Sequence, residues 1–320
     1  MTERPHSHIL PYSLIVGQED LKLALELSYI APRIGGVLIS GQPGTGKSTA
    51  ARAFAQMAYE RLPVTIPINA TEDRVVGGWR IDELMRSRAV PQAGLLEEAN
   101  GGMLFIDEVN LLDDHTANII LDVSSTGVLV VQREGRREQK EVVFTLVGTM
   151  NPKEGWLRPQ LLDRFGLMVS VTAESEEKER GRILQTVLMF DEALFYQTRN
   201  GQDEPFVQEA REKDRERRAE LQRAQQNLYH VKIPESVAKD CVTLAEKFEA
   251  QGHRADYVIA LAARAYAALQ GTETVTNEHV GRVARMALQH RRSRGEQDSV
   301  EMWHSQDNTL LQQCLNLTSI

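Results

Sequence analysis

The chain has 320 residues, of which 42% are apolar and 26% charged, and its formal charge is −8. That balance excludes a polyelectrolyte nucleic-acid binder, and the apolar content suffices for cores in two domains of ordinary size. Without an apolar run of about 18 residues no membrane span is expected, and the opening residues MTERPHSHILPYS lack an apolar signal core. The two cysteines, Cys241 and Cys314, have no metal-ligand spacing, and His6 and His8 have no third ligand nearby. A reducing cytoplasm fits this pattern.

Taken in chain order, residues 1–172 alternate short apolar runs with helical patterns. The runs at 36–40 (GVLIS), 63–68 (PVTIPI), 103–107 (MLFID), 142–150 (VVFTLVGTM) and 166–171 (GLMVSV) read as buried strands. Helical stretches fall at 18–30, 47–61, 93–99 and 114–125. The alternation predicts an α/β fold with a parallel sheet covered on both faces. One pair breaks it: 128–134 and 141–147, with GRREQK between them, read as a hairpin leading into a core strand. After residue 172 the strands stop. Residues 174–194 are helical, and 204–228 are very polar, either a solvated helix laced with i,i+4 charge pairs or a partner-binding arm. Three amphipathic helices follow at 234–250, 254–270 and 276–291, the last with Thr276 and His279 in capping-box positions. Residues 292–320 are polar and weakly patterned, and low order is expected there. The division is thus 1–172 (α/β core), 173–230 (helical linker), 231–291 (helical lid) and 292–320 (tail).

The chemistry begins at GQPGTGKST, residues 41–49, between a strand and a helix. It matches G-x-x-x-x-G-K-[ST] in its required context. Gly41, Gly44 and Gly46 let backbone N–H groups close around phosphate oxygens, with Thr45 and Thr49 in the same cradle. The helix N-terminus adds its positive dipole end. Lys47 is expected on the β- and γ-phosphates of ATP and Ser48 on Mg²⁺. GGMLFIDEVN, residues 101–110, places two carboxylates at the C-terminal end of a strand, the edge where open α/β sheets bind ligands. Asp107 fits the Mg²⁺-associated acid, and Glu108 the general base acting on water. Asn151, in GTMNP, ends the next strand on the same edge. Its amide positions the attacking water or touches the γ-phosphate, or else it is an ordinary turn asparagine before proline. RPQLLDRFG, residues 158–166, reads as a short helix from Pro159 to Gly166 with Asp163 and Arg164 in its last turn. Arg164 either complements the helix dipole or reaches a group on another molecule.

In this order, P-loop, acid pair, polar strand end, arginine-bearing helix and helical lid resemble an AAA+ ATPase. The likeness is closest to the ATPase subunits of magnesium chelatases, at residues 10–49, at ATEDRVVGG (70–78), at AGLLEEANGGMLFIDEVNLLDDH (93–115) and at LRPQLLDRFGL (157–167). The lid segments 252–269 and 274–291 share it. The resemblance covers about residues 9–291. It implies a five-stranded parallel sheet with β-hairpin insertions, an all-α lid, and a homo-oligomeric ring, usually a hexamer, with ATP between subunits. Arg164 would be the arginine finger reaching a neighbour's γ-phosphate, with Arg158 a second candidate. Arg254 matches the lid's sensor arginine, which reports bound nucleotide. Ile15 and Val16 match the apolar contacts to adenine. Partners implied are a von Willebrand-type metal-binding-domain protein and a large porphyrin-binding chelatase subunit.

One departure stands out: residues 59–69 are short and cysteine-free where the chelatase subunits carry a cysteine-bearing insertion. The basic amphipathic stretch 79–88 reads as a solvated helix or hairpin, or as a pore- or partner-facing element. The expected function is a Mg²⁺-dependent ATP hydrolase whose ring remodels or activates a partner complex. Two rivals are a motor for metal insertion into a tetrapyrrole and a nucleotide-gated scaffold that hardly turns over, which the intact Asp107–Glu108 pair argues against.

Overall fold

Strand runs this apolar should divide their side chains between two buried faces, and they do. A computed structural model describes residues 8–80, 83, 85–86, 90–133, 136–250, 252–292 and 303–317. In chain order the first elements are α1 (Glu19–Ile30), β1 (Val37–Gly41), α2 (Lys47–Tyr59), β2 (Val64–Ile66), α3 (Glu72–Val76), β3 (Gly77–Trp79) and β4 (Pro91–Ala93). Then come α4 (Leu95–Glu98), β5 (Met103–Ile106), α5 (Asp114–Thr126), β6 (Val128–Arg133), β7 (Arg136–Glu141), β8 (Thr145–Met150), α6 (Pro159–Leu162) and β9 (Leu167–Val171). Helices follow: α7 (Glu177–Asn200), α8 (Pro205–Asn227), α9 (Glu235–Lys247), α10 (Arg254–Leu269), α11 (Asn277–Leu288) and α12 (Ser305–Leu315).

The five-stranded sheet has the order β2-β5-β8-β1-β9, and every pair in it is parallel. Val37, Ile39, Met103, Phe105, Leu167 and Val169 point into one core, and Leu38, Leu104, Ile106 and Met168 into the other. This is the two-residue period of a strand buried on both faces. The first core runs without a break from the sheet through α1 and α2 into α8 and the lid helices.

Three expectations need correction. The hairpin returns earlier than its apolar pattern suggested: β6 pairs with β7 from Val128↔Glu141 to Arg133↔Arg136, so most of GRREQK is strand and the core strand begins at Thr145. Leu129 and Val131 supply the inward face from β6 alone, so the returning strand can be polar, with Lys140 held by Glu97 at 3.0 Å. Helix α6 is a single turn. Asp163 is its C-cap, and Arg164 lies beyond it in a 3-10-type turn closed by Arg164 N–H to Leu161 O at 3.1 Å. So short a helix has little dipole for Arg164 to complement. Finally, part of the tail is a helix, α12, opened by His304 and Asp307 in a capping box. Leu311 and Leu315, one turn apart, are buried, and Trp303 stacks on Phe248 at 5.1 Å. A few apolar anchors at helical spacing suffice where a core is already waiting for them. Most of the stretch 79–88 lies outside the described residues.

Candidate functional site

The turn between β1 and α2 builds the candidate phosphate cradle. Gly44 and Gly46 both take φ of +80°, a conformation that L side chains rarely adopt. Gly41 is glycine for another reason: a Cβ there would lie 2.2 Å from the Val171 carbonyl oxygen on β9. The neighbouring strand, not phosphate, forbids a side chain at that position. Helix α2 starts at Lys47, so its first N–H groups point into the turn without intrahelical partners. Lys47 Nζ donates to the carbonyls of Gly41 and Gln42, each at 2.7 Å. Burial lowers its pKa, while Asp107, Glu108 and Glu154 resist that shift. A lysine bound only by carbonyls of its own loop can turn toward an anion at small cost.

The acids lie at the same edge. Asp107 Oδ1 accepts from Thr149 Oγ1 at 2.6 Å and from Ser48 Oγ at 3.4 Å. Thr149 Oγ1 also accepts the Glu108 N–H at 3.0 Å. Glu108 has φ of +54°, left-handed for a non-glycine residue. Strain of this kind is held only where the surroundings dictate it, and Thr149 bonds both acids. Asn151 is buried at this edge, but its amide donates to Glu154 Oε1 at 2.5 Å and its Oδ1 accepts Lys153 N–H at 3.2 Å. In this conformation it closes a turn, and it faces a ligand only after exchanging Glu154.

Beside the cradle opens a cavity of about 760 Å³ lined by Ile15, Val16, Gly44, Thr45, Gly46 and Thr49. Its far wall is α7, through Ile183, Leu184 and Val187. The sequence signal for that wall was present, apolar residues one turn apart on a polar helix, but nothing in it indicated what they cover. The hydroxyl, carboxylate and lysine set fits a Mg²⁺–triphosphate, because Mg²⁺ takes one or two protein oxygens and completes its shell with phosphate and water. Among the described residues no cluster of three His, Cys, Asp or Glu side chains offers a separate metal site.

Arg164 and Arg254 lie elsewhere. A Cβ on Gly35, before β1, would sit 3.2 Å from the Arg164 carbonyl oxygen and 3.7 Å from Arg254 Nη2. Gly41 ends the strand that follows, whose 5 residues alone span about 13 Å between the pair and the cradle. Arg254 thus lies at the end of β1 opposite the cradle. Burial lowers its pKa, Asp163 and Asp122 oppose that, and Arg164 repels it. Arg164 donates to Asn118 O at 3.2 Å. Arg158 is exposed and pairs with Asp114 at 2.7 Å, an ion pair of little energetic weight.

Sequence reasoning missed what builds this second edge. Arg291, at the end of the lid, is fully buried and donates to the carbonyls of Gly166 at 2.8 Å and Asp163 at 2.9 Å, and to Asp163 Oδ1 at 3.1 Å. Burial pushes its pKa down to about 10. Gln289 and His290 bond Met168 O and Phe165 O. The lid thus holds the turn that carries Arg164.

A phosphate cradle, an acid pair at a parallel-sheet edge and a docked helical lid define a P-loop ATPase of the AAA+ class. The model of the AAA domain, dynein-related subfamily, matches residues 36–165, and that of the AAA lid domain matches residues 238–312. The chain is 38% identical to the magnesium-chelatase 38 kDa subunit of Rhodobacter capsulatus over 88% of each chain. It is 36% identical to that of Chlorobaculum parvum over 94% of this chain and 96% of that one. A crystal structure from Cytophaga hutchinsonii shares the fold, with a TM-score of 0.64 at 17% identity, covering 96% of this chain and 92% of that one. The chain belongs to the AAA+ ATPase family of the magnesium-chelatase 38 kDa subunits.

Proposed function

We propose that this chain is a Mg²⁺-dependent ATP hydrolase that works as a homo-oligomeric ring, each active site shared between two subunits. The observation that carries the reading is the separation of the two half-sites, phosphate cradle and acids at one edge of the sheet, Arg164 and Arg254 at the other. In a ring these edges meet across the subunit interface.

In such a site the cradle N–H groups and Lys47 hold the phosphates, and Ile15 and Val16 hold adenine in the cavity. Ser48 and Asp107 would hold Mg²⁺, which neutralises charge on the phosphate oxygens. Glu108 takes the proton of a water whose oxygen bonds to the γ-phosphorus as the β–γ bridging P–O bond breaks. Asn151, released from Glu154, orients that water. The neighbour's Arg164, backed by its Arg254, stabilises charge spreading over the transferred phosphoryl. Because α11 ends on the Arg164 turn, a change at the interface passes directly into the lid, and through it to a partner.

Mixing variants tests the composite site. Arg164→Ala and Lys47→Ala should each be inactive alone, and together they should recover a fraction of wild-type hydrolysis. No recovery in mixtures shown to assemble would sink the proposal.

The relatives' name, magnesium chelatase, favours a second reading. In it the resemblance implies that the ring drives metal insertion into a tetrapyrrole through a von Willebrand-type subunit and a large porphyrin-binding subunit. The absence of the cysteine-bearing insertion at 59–69 supports a different remodelled complex in the cytoplasm. Co-purification decides: a porphyrin-binding subunit favours metal insertion, an unrelated complex favours remodelling.

A further inference from the structure

We infer that Asp214, on the polar helix α8, is a positioning residue that fixes the base-side wall of the nucleotide cavity, and so sets the preference for ATP over bare triphosphate. The inference rests on reading that cavity as the adenine site.

Two faces of α8 behave differently. Outward-facing charges pair along the helix, as in Lys213 with Glu209 at 2.7 Å and Arg215 with Glu212 at 3.3 Å. Asp214 and Arg217, one turn apart, instead face the core. Asp214 Oδ2 accepts the Tyr12 N–H at 2.9 Å and Oδ1 accepts the Ser13 N–H at 2.8 Å. The Ser13 hydroxyl donates to Ala210 O at 2.8 Å. A carboxylate from about two hundred residues away thus caps the 3-10 turn Tyr12–Leu14, satisfying N–H groups that such a turn leaves open. Arg217 adds a second anchor. It grips the buried Glu26 with bonds of 2.9 and 2.6 Å, and the Tyr12 hydroxyl donates to Glu26 at 3.3 Å.

From this turn the chain runs straight into the cavity wall. Ile15 N–H closes on Tyr12 O at 3.1 Å, and Ile15 and Val16 line the cavity. Gly17 and Gln18 follow in the left-handed region, with φ of 65° and 56°. Gln18 Nε2 then reaches Thr45 O in the P-loop at 2.9 Å. Two left-handed residues in succession do not hold a fixed path alone, and this path is pinned at both ends, by Asp214 and by Thr45. Burial raises the pKa of the Asp214 carboxyl, and the Tyr12 and Ser13 N–H groups work against that rise. Losing Asp214 frees one end of the wall and leaves the phosphate cradle untouched.

Calorimetric titration of the full chain with Mg-ATP and with Mg-triphosphate tests this, on wild type, Asp214→Ala, Asp214→Asn and Ser13→Ala. Asp214→Ala should weaken ATP by about tenfold and triphosphate by less than about twofold, the scale of one charged acceptor lost to two N–H groups. Asp214→Asn, which keeps one acceptor oxygen, should fall between, and Ser13→Ala should show a smaller loss of the same kind. If wild type itself shows no preference for ATP, the adenine reading of the cavity fails. If wild type prefers ATP and both Asp214 variants keep that preference, the inference fails and the cavity reading stands. Equal weakening of both ligands in folded Asp214→Asn also overturns it, because that is what general loosening of the fold would give.

Discussion

At the C-terminal edge of the sheet, Lys47 sits among acids, and Ser48, Asp107, Glu108 and Thr149 are joined by hydrogen bonds within one short arc. At the N-terminal edge, Arg164, Arg254 and Arg291 crowd together around Asp163, with Arg164 repelling Arg254. The first edge is contiguous along three neighbouring strands and net acidic, with Lys47 facing Asp107, Glu108 and Glu154. The second is assembled from the β8–β9 connection and two lid helices, and it holds like charges together. Arg291 is satisfied by carbonyls, but Arg254 carries repulsion that an added anion would relieve. The contrast supports edges that complete one another between copies, each supplying what the other lacks.

The comparison breaks most sharply if either edge works alone. Arg164→Ala should lower kcat by about 10³-fold or more, and Glu108→Gln by about 10²- to 10³-fold, both with Mg-ATP affinity within about twofold of wild type. Phosphate release and equilibrium binding measure these. A fully active Arg164→Ala would make the second edge irrelevant to hydrolysis. Next, Arg291→Met leaves buried carbonyls without donors and Asp163 without its cation. It should cost about 3 kcal/mol in urea unfolding and abolish hydrolysis, while triphosphate still binds any folded protein. Smaller again, Thr149→Val removes the hydroxyl that holds Asp107 and releases Glu108 from its left-handed conformation. A kcat loss of about tenfold is expected, with KM nearly constant.

The smallest effect is a pH dependence at the far end of α11. His279 Nδ1 accepts the Thr276 N–H at 2.9 Å, and its Nε2 meets Gln270 Oε1 at 2.9 Å, so the cap needs the neutral ring. Burial lowers the folded pKa below the ordinary 6.5, and Glu278 opposes that. The unfolded chain then binds more protons, so stability is lost as pH falls through about 6.5, and the loss is complete below the folded pKa. Melting temperature should drop by roughly a degree or two across that window, and His279→Gln should remove the difference. An unchanged pH profile in that variant would show that His279 is not the group responsible.

How much was legible depended on distance along the chain. GQPGTGKST and the apolar run ending in Asp107–Glu108 were readable because backbone conformation, strand period and helix start are properties of adjacent residues. Thr149 stood in a quoted motif but gave no sign that it bonds both acids, since that depends on β5 and β8 being neighbours. The polar pattern of 204–228 fits a solvated helix or a partner-binding arm. Its outer face is charged and paired along the helix, while Asp214 and Arg217 find partners some two hundred residues earlier. The return strand of the hairpin was misplaced because a polar strand facing solvent has no apolar pattern to reveal it.

By itself, then, the sequence determined the sheet's strands, the glycine turn between β1 and α2 and the acid pair, because each is encoded in residues that touch along the chain and obey local steric and dipolar rules. Which edge Arg164 and Arg254 occupy, that Arg291 holds the turn carrying Arg164, and that α7 and α8 wall and brace the cavity were decided only by tertiary structure. These placements follow from crossover connections and lid docking, and contacts between residues a hundred or more apart are fixed by the packing of whole elements.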